Sequence, residues 1–203
     1  MKIANVFNSA KLYGAFQFAV AKKNTHNVIK DEIIRPDEVS VVLDFGCGIG
    51  YHSKMFPSAM YLGIEPIKSC VKLANKHYSN PNAEFRAGDH ALLTDLESES
   101  FDLVIAIGVL HHIDDSILRI FAKESKRILR PGGRLTTFDP VLHIEQSKVS
   151  RWVVKRDRGA WVRTEQDYVS KIQEVFSEKI ETRIYSKLLR IPYDHIVIDV
   201  LKN

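Results

Sequence analysis

Cysteine is almost missing from this chain: 203 residues carry only Cys47 and Cys70. They form no C-x-x-C pair and no zinc-ligand spacing, so a disulfide framework and a structural zinc site are excluded, and no metal is expected. Long hydrophobic runs are missing as well. No stretch approaches the roughly 20 apolar residues that cross a bilayer. Asn5, Asn8, Ser9, Lys11 and Gln17 also break up the amino end, where a secretory signal needs an apolar run. A soluble, cytoplasmic protein with no membrane partner is the expectation. An excess of one charge is absent too, with 29 Lys and Arg against 25 Asp and Glu, net +4. These charges are mostly interspersed, which disfavours a nucleic-acid partner. There is no internal repeat and no low-complexity stretch. What is present is 45% hydrophobic and 27% charged, an ordinary globular mixture long enough to fill one core.

Apolar positions at Val6, Ala10, Tyr13, Phe16 and Val20 recur at helical spacing and predict a leading helix. A second helix is expected over Asn27 to Ile34, ending before Pro36. The pattern then changes. Val39 to Phe45 is β-branched and nearly continuously apolar, as in a strand covered on both faces. Further strands are expected at Tyr61 to Glu65, Ala83 to Ala87, Phe101 to Ile107 and Arg134 to Asp139. Between them lie a helix over Pro66 to Tyr78 and another capped by Asp114 or Asp115, which Pro131-Gly132-Gly133 ends. Alternating strands and helices predict right-handed crossovers and a parallel sheet. Ile180 to Leu189 and His195 to Leu201 are β-rich runs too close together for a crossover helix, so they should pair antiparallel. One domain over residues 1–203 accommodates all of this. Residues 1–38 form a helical segment, 39–140 a ligand-binding core, 141–176 an excursion long enough to cover a substrate, and 177–203 the antiparallel strands.

The most informative segment is Asp44-Phe45-Gly46-Cys47-Gly48-Ile49-Gly50, where a buried strand should end and a helix begin. Ligands of open α/β sheets bind at that carboxyl edge, and glycines there let the backbone come close to a ligand. The pyrophosphate fingerprint G-x-G-x-x-G needs glycine at position 51, which is Tyr51. No G-x-x-x-x-G-K-[ST] loop occurs. Asp44, two residues before the first glycine, suits an ammonium group better than a phosphate. Glu65, 21 residues on, ends the second strand and can accept both hydroxyls of a ribose. Asp89 follows the third strand, where it can accept from an exocyclic amine.

Asp44 to Gly50 resembles the first motif of class I S-adenosylmethionine-dependent methyltransferases. Glu65, Asp89, the strand ending at Ile107 and Leu129-Arg130-Pro131-Gly132-Gly133 resemble the later ones. The resemblance is specific over about residues 39 to 140. It implies a doubly wound, Rossmann-like α/β fold with helices on both faces of a seven-stranded sheet of order 3-2-1-4-5-7-6, the last strand antiparallel. It also implies S-adenosyl-L-methionine as cofactor and S-adenosyl-L-homocysteine as product. Asp44, Phe45, Gly46, Cys47, Gly48 and Gly50 would hold the methionine end. Glu65, with Pro66 beside it, would hold the ribose, and Asp89 with His90 the adenine, while Ile107 passes nearby.

Methyl transfer to a hydroxyl needs a base, and His111 and His112 stand just past the fourth strand. Asp139, ending the fifth, is placed to orient one of them. The resemblance adds that similar enzymes acting on sugar hydroxyls use such a pair, although Leu-His-His segments also shape pockets in members with other substrates. In the excursion, Arg151, Arg158 and Arg163 with Trp152 fit a substrate bearing phosphate or carboxylate. An amphipathic helix that packs Trp152 on the core fits the same residues. Tyr13 on the leading helix is a further substrate-binding candidate. A small-molecule acceptor is expected, because the fourth strand runs into Ile107-Gly108-Val109-Leu110 and not into [DNS]-P-P-[YFW]. No Pro-Cys pair is present for cytosine methylation. RNA or protein methylation, an NAD(P)-dependent oxidoreductase and a non-catalytic cofactor-binding subunit are the alternatives. The oxidoreductase lacks both its third glycine and a Tyr-x-x-x-Lys pair. The acceptor atom and the oligomeric state are not encoded in any motif.

Overall fold

In a computed structural model of the chain, residues 22, 24–37, 39–156 and 159–203 are described; the expected leading helix, with Tyr13, lies outside them, as does Arg158. The strands are β1 (Val41–Phe45), β2 (Met60–Glu65), β3 (Ala83–Ala87), β4 (Phe101–Ile107), β5 (Leu129–Leu142), β6 (Arg163–Thr164), β7 (Ile180–Tyr185) and β8 (His195–Leu201). They run in the order β3-β2-β1-β4-β5-β8-β7, with β6 paired only to the end of β5. Setting aside the two-residue β6, this is the seven-stranded order expected. β8 runs antiparallel to both β5 and β7, and the other pairings are parallel.

The helices are α1 (Lys68–Tyr78), α2 (Asp115–Ile128), α3 (Lys148–Val154) and α4 (Glu165–Gln173). Strand alternation divides the core into two layers. Leu43, Phe45, Ile64, Val104 and Leu135 face α2 and α4, meeting Phe121, Tyr168, Ile172 and Phe176. Val42, Tyr61, Leu103 and Ile105 face the other way, meeting Val71 and Ala74 of α1, with Met55 and Phe56. Burial on both faces is what the near-continuous apolar strands require.

Several boundaries differ from the sequence reading. The second helix is one α turn, Thr25–Asn27, running into a π-helical Val28–Ile34. Arg35 closes it in the left-handed region (φ 48°), its N–H reaching the Lys30 carbonyl at 2.7 Å. Pro66 lies ahead of α1 and not in its first turn, because Ile67 takes the cap position. Asp114, not Asp115, caps α2, accepting from the Ile117 N–H. β5 begins at Leu129, directly after α2, so Pro131-Gly132-Gly133 does not end the helix but forms a bulge: β4 pairing jumps from Phe101↔Leu129 to Leu103↔Arg134. The excursion after β5 divides in two. Residues 163–176 build into the core through Tyr168, Ile172 and Phe176, all fully buried. Residues 143–156 and 159–161 stay outside that layer, after the carboxyl end of β5.

Candidate functional site

The carboxyl ends of β1, β2, β4 and β5 bring four acidic or basic side chains to one edge of the sheet. Asp44 is fully buried. Its Oδ2 accepts from the Tyr61 hydroxyl and lies 3.3 Å from His52 Nδ1. Tyr61 and His52 carry no signal in the motif, and sequence reasoning missed both. Burial beside Asp44 raises the Tyr61 phenol pKa, so the phenol stays a donor. Asp44 Oδ1 is buried with no hydrogen-bond partner among the described residues. An unpartnered carboxylate oxygen is costly in a low-dielectric interior, and a cationic ligand group such as an ammonium would supply the donor it lacks.

The loop after β1 is folded onto the end of β2. Gly46 and Cys47 donate to the Ile64 carbonyl at 2.8 and 3.2 Å. Gly48 N–H donates to Glu65 Oε2 at 3.1 Å, and Ile67 N–H to Oε1 at 2.9 Å. Each oxygen keeps a second acceptor position, which fits the two hydroxyls of a ribose. Burial raises the Glu65 pKa, and the two backbone N–H groups pull it partly back. Gly46 has φ +77°, and a Cβ there would stand 2.4 Å from Val109 Cγ2, so the loop also approaches the chain after β4 closely. Asp89 is exposed and caps the short helix His90–Asp95, accepting from the Ala91 N–H at 2.9 Å, with half-buried His90 beside it. Ile107 is half-buried against the α1-side core. Gly50 sits buried at the start of the short helix Tyr51–Met55, and Pro66 is exposed at the rim. Within this set the Cys47 thiol is buried in the α1-side core, and the Phe45 side chain also turns inward: its ring stacks on Phe121, centroids 4.9 Å apart. Only its backbone faces the loop side, since side chains alternate along a strand.

The residues after β4 meet the end of β5. Gly108 N–H donates to the Phe138 carbonyl at 2.7 Å. His111 is buried, with Nδ1 2.8 Å from Asp139 Oδ1, and its backbone N–H donates to the same oxygen at 3.2 Å. Burial raises the Asp139 pKa and His111 opposes this. His112 is exposed, its ring 3.9 Å from that of His111. The segment 159–163 closes over this pair. Trp161 N–H donates to the His111 carbonyl at 3.0 Å, and a Cβ on Gly159 would stand 2.2 Å from His111 Cδ2.

The expected substrate residues separate. Arg163 is buried; its guanidinium binds Asp115 at 2.8 Å and the carbonyls of Leu110, Trp161 and Ile113. It fastens the loop after β4 to the excursion and has no reach left for a substrate. Arg151 and Trp152 stand exposed on α3, so Trp152 is not packed on the core, and the Arg156 guanidinium lies 4.0 Å over its ring. A second cluster was invisible in the sequence. Asp194 Oδ2 lies 3.1 Å from His143 Nε2 and accepts from Ser150 Oγ at 3.1 Å. Next to it, His195 is buried with Nδ1 unpartnered among the described residues and stacks on Phe138, centroids 4.5 Å apart. These residues come together through the antiparallel β5–β8 pairing, whose direction the family resemblance implied and whose register no motif gave.

No group of three or more potential metal ligands occurs among the described residues. The clefts of about 230 and 380 Å³ open at the amino ends of the strands, away from this polar edge.

Residues 43–137 match the family model described as a methyltransferase domain. The chain is 35% identical over 100 residues to a probable tRNA methyltransferase 9B of Mus musculus, covering 49% of this chain and 21% of that protein. It is 28% identical over 178 residues to a malonyl-[acyl-carrier protein] O-methyltransferase of Halalkalibacterium halodurans, covering 81% of this chain and 65% of that one. Among solved structures, the YcgJ protein of Bacillus subtilis superposes with a TM-score of 0.70 at 16% identity, over 90% of this chain and 99% of its own. The chain thus spans about a fifth of the mouse relative and shares its fold with the bacterial protein. Glycine loop, Asp44, Glu65 and strand order agree with this match: residues 43–137 are similar to a methyltransferase domain, on the fold expected for class I S-adenosylmethionine-dependent enzymes.

Proposed function

We propose that the protein moves the methyl group of S-adenosyl-L-methionine to a hydroxyl of a small molecule, with His111 as general base. The observation that carries this reading is the buried His111–Asp139 pair, 2.8 Å apart, at the same sheet edge as the Asp44 and Glu65 carboxylates. The cofactor, when bound, supplies an electrophilic methyl already activated by its sulfonium. Asp44 and the loop Gly46 to Gly50 hold the amino-acid end, Glu65 the ribose, and Asp89 with His90 the adenine. Asp139 holds the Nδ1 proton of His111, which makes Nε2 the nitrogen that takes the acceptor's proton. Closure of Gly159 and Trp161 over His111 limits water at that point, and alignment of the two reactants contributes the rest. His112 shapes the pocket wall through its contact with His111. Arg151 and Trp152, exposed beside the site, suit an acceptor that carries a negative charge.

His111→Ala should keep the affinity for S-adenosyl-L-homocysteine in calorimetry while lowering turnover at least about a hundredfold. Turnover at the wild-type level would reject the base. The acceptor class is tested by incubating the protein with methyl-labelled cofactor and two fractions of a cell extract, small metabolites and RNA. Label entering the metabolite fraction is the expected outcome. Label confined to RNA would move the substrate to the class named for the mouse relative.

A further inference from the structure

The segment between β5 and β6 shows solvent a kind of surface that methyl transfer does not require. Ile144 is 92% exposed, Val149 61%, Trp152 57% and Trp161 44%. Around them Lys148, Arg151, Lys155 and Arg156 are also exposed. From Ile144 to Trp161 the sequence holds five Lys and Arg against Glu145 and Asp157. The inner side of the segment is anchored: Val154 is buried, Gln146 Nε2 donates to the Val141 carbonyl at 3.1 Å and to Ser150 Oγ at 2.9 Å, and Ser150 Oγ donates to Asp194. The outer face is therefore displayed on a fixed support and is not a core face turned out.

Aliphatic tips, indole rings and cationic side chains exposed together along one short segment match the boundary between lipid headgroups and acyl chains. Ile144 and Val149 decide between partners. A nucleic acid would use the cations and Trp152 but offers two β-branched aliphatics nothing, and Arg156 already covers one face of the Trp152 ring. An acyl boundary removes all four apolar side chains from water while the Lys and Arg termini reach anionic phosphates. No described helix is long and apolar enough to cross a membrane, but surface docking needs none.

We propose that this face docks the protein on an anionic phospholipid surface. Because Trp161 is bonded to the His111 carbonyl, docking sets the edge that holds His111 against the lipid layer. On the methyl-transfer reading, and resting on it, the acceptor is then an amphiphile presented by that layer.

The chain's only two tryptophans, Trp152 and Trp161, both lie in the face, so their emission reports docking directly. The full chain is mixed with vesicles of phosphatidylglycerol and phosphatidylcholine, and separately with phosphatidylcholine alone. Co-sedimentation with the anionic vesicles only, a blue shift of tryptophan emission, and weakening by salt are expected. Ile144→Asn and Lys148→Glu/Lys155→Glu should each weaken binding at least about tenfold while keeping the wild-type affinity for S-adenosyl-L-homocysteine. Val149→Asn serves in place of either variant that loses that affinity. No co-sedimentation, or binding undiminished in the variants, overturns the proposal. So does retention of a single-stranded RNA oligonucleotide, lost in Lys148→Glu/Lys155→Glu, without vesicle binding. Homocysteine-nucleoside titration needs no vesicles, so failure of docking and failure of the methyl-transfer reading give different results.

Discussion

Gly46 and Gly159 do similar mechanical work and differ in how visible they are. At Gly46 the left-handed φ of +77° is barred to other residues at a cost of about 1–2 kcal/mol, and the position falls in a motif whose turn demands it. Gly46→Ala should therefore weaken S-adenosyl-L-homocysteine binding and lower the melting temperature by about 2–8 °C, read by calorimetry and a thermal melt; unchanged values for both would remove the loop from the cofactor site. At Gly159 nothing in the neighbouring sequence marks the residue. Its importance comes from the His111 ring, 48 positions away in the chain, which leaves no room for a Cβ. Phe45 and Arg163 show the reverse error. Each is the right residue type for a ligand contact, yet the ring of Phe45 joins the core against Phe121 and the guanidinium of Arg163 is saturated by Asp115 and three carbonyls. Side-chain direction and partners settle such cases, and residue type does not carry them.

Among the elements, β8 holds the clearest titration. His195 begins it, stacked on Phe138 and close to Tyr193. Burial, with a further push from His111, lowers its pKa to about 3, while Asp194 opposes. A histidine whose folded pKa lies below its unfolded value of about 6.5 binds fewer protons when folded. Its effect on stability is thus absent above pH 6.5 and becomes a growing loss as pH falls from there towards 3, on the order of 2 kcal/mol between pH 7 and 5. His195→Phe keeps the stacking and removes the titration. In urea unfolding, the variant should lose less stability than wild type between pH 7 and 5; an equal loss would place the acid sensitivity elsewhere. Element positions were legible wherever periodicity was long, as in β1, β4 and α2. Boundaries failed where a turn competed with a strand: Pro131-Gly132-Gly133 reads as a helix terminator, yet pairing with β4 and β8 draws it into a bulged strand. Residues 163–176 read as part of a cover, and the burial of Tyr168, Ile172 and Phe176 makes them a core layer.

For the molecule as a whole, ligand and fold should be linked by mass action. S-adenosyl-L-homocysteine at a hundredfold excess over its Kd should add about 2.7 kcal/mol of stability, a rise of about 5–10 °C in melting temperature for a domain of this size. NAD should give none. A rise with NAD and none with the nucleoside would contradict the ligand of the domain. The strands and the antiparallel last pair could be read from the chain alone, and the strand order from the family resemblance, because apolar periodicity, glycine at forced turns and acids at strand ends are local requirements written at the positions they act on. His111, His112 and Asp139 were candidates from the sequence, but the pairing of His111 with Asp139, the Asp194–Ser150–His143 cluster, the placement of His195 and the exposure of Ile144, Val149 and Trp152 came only with the folded structure. His111 and Asp139 are 28 residues apart, Ser150 and Asp194 44, and no spacing rule fixes contacts between side chains that meet only when separate strands find their register.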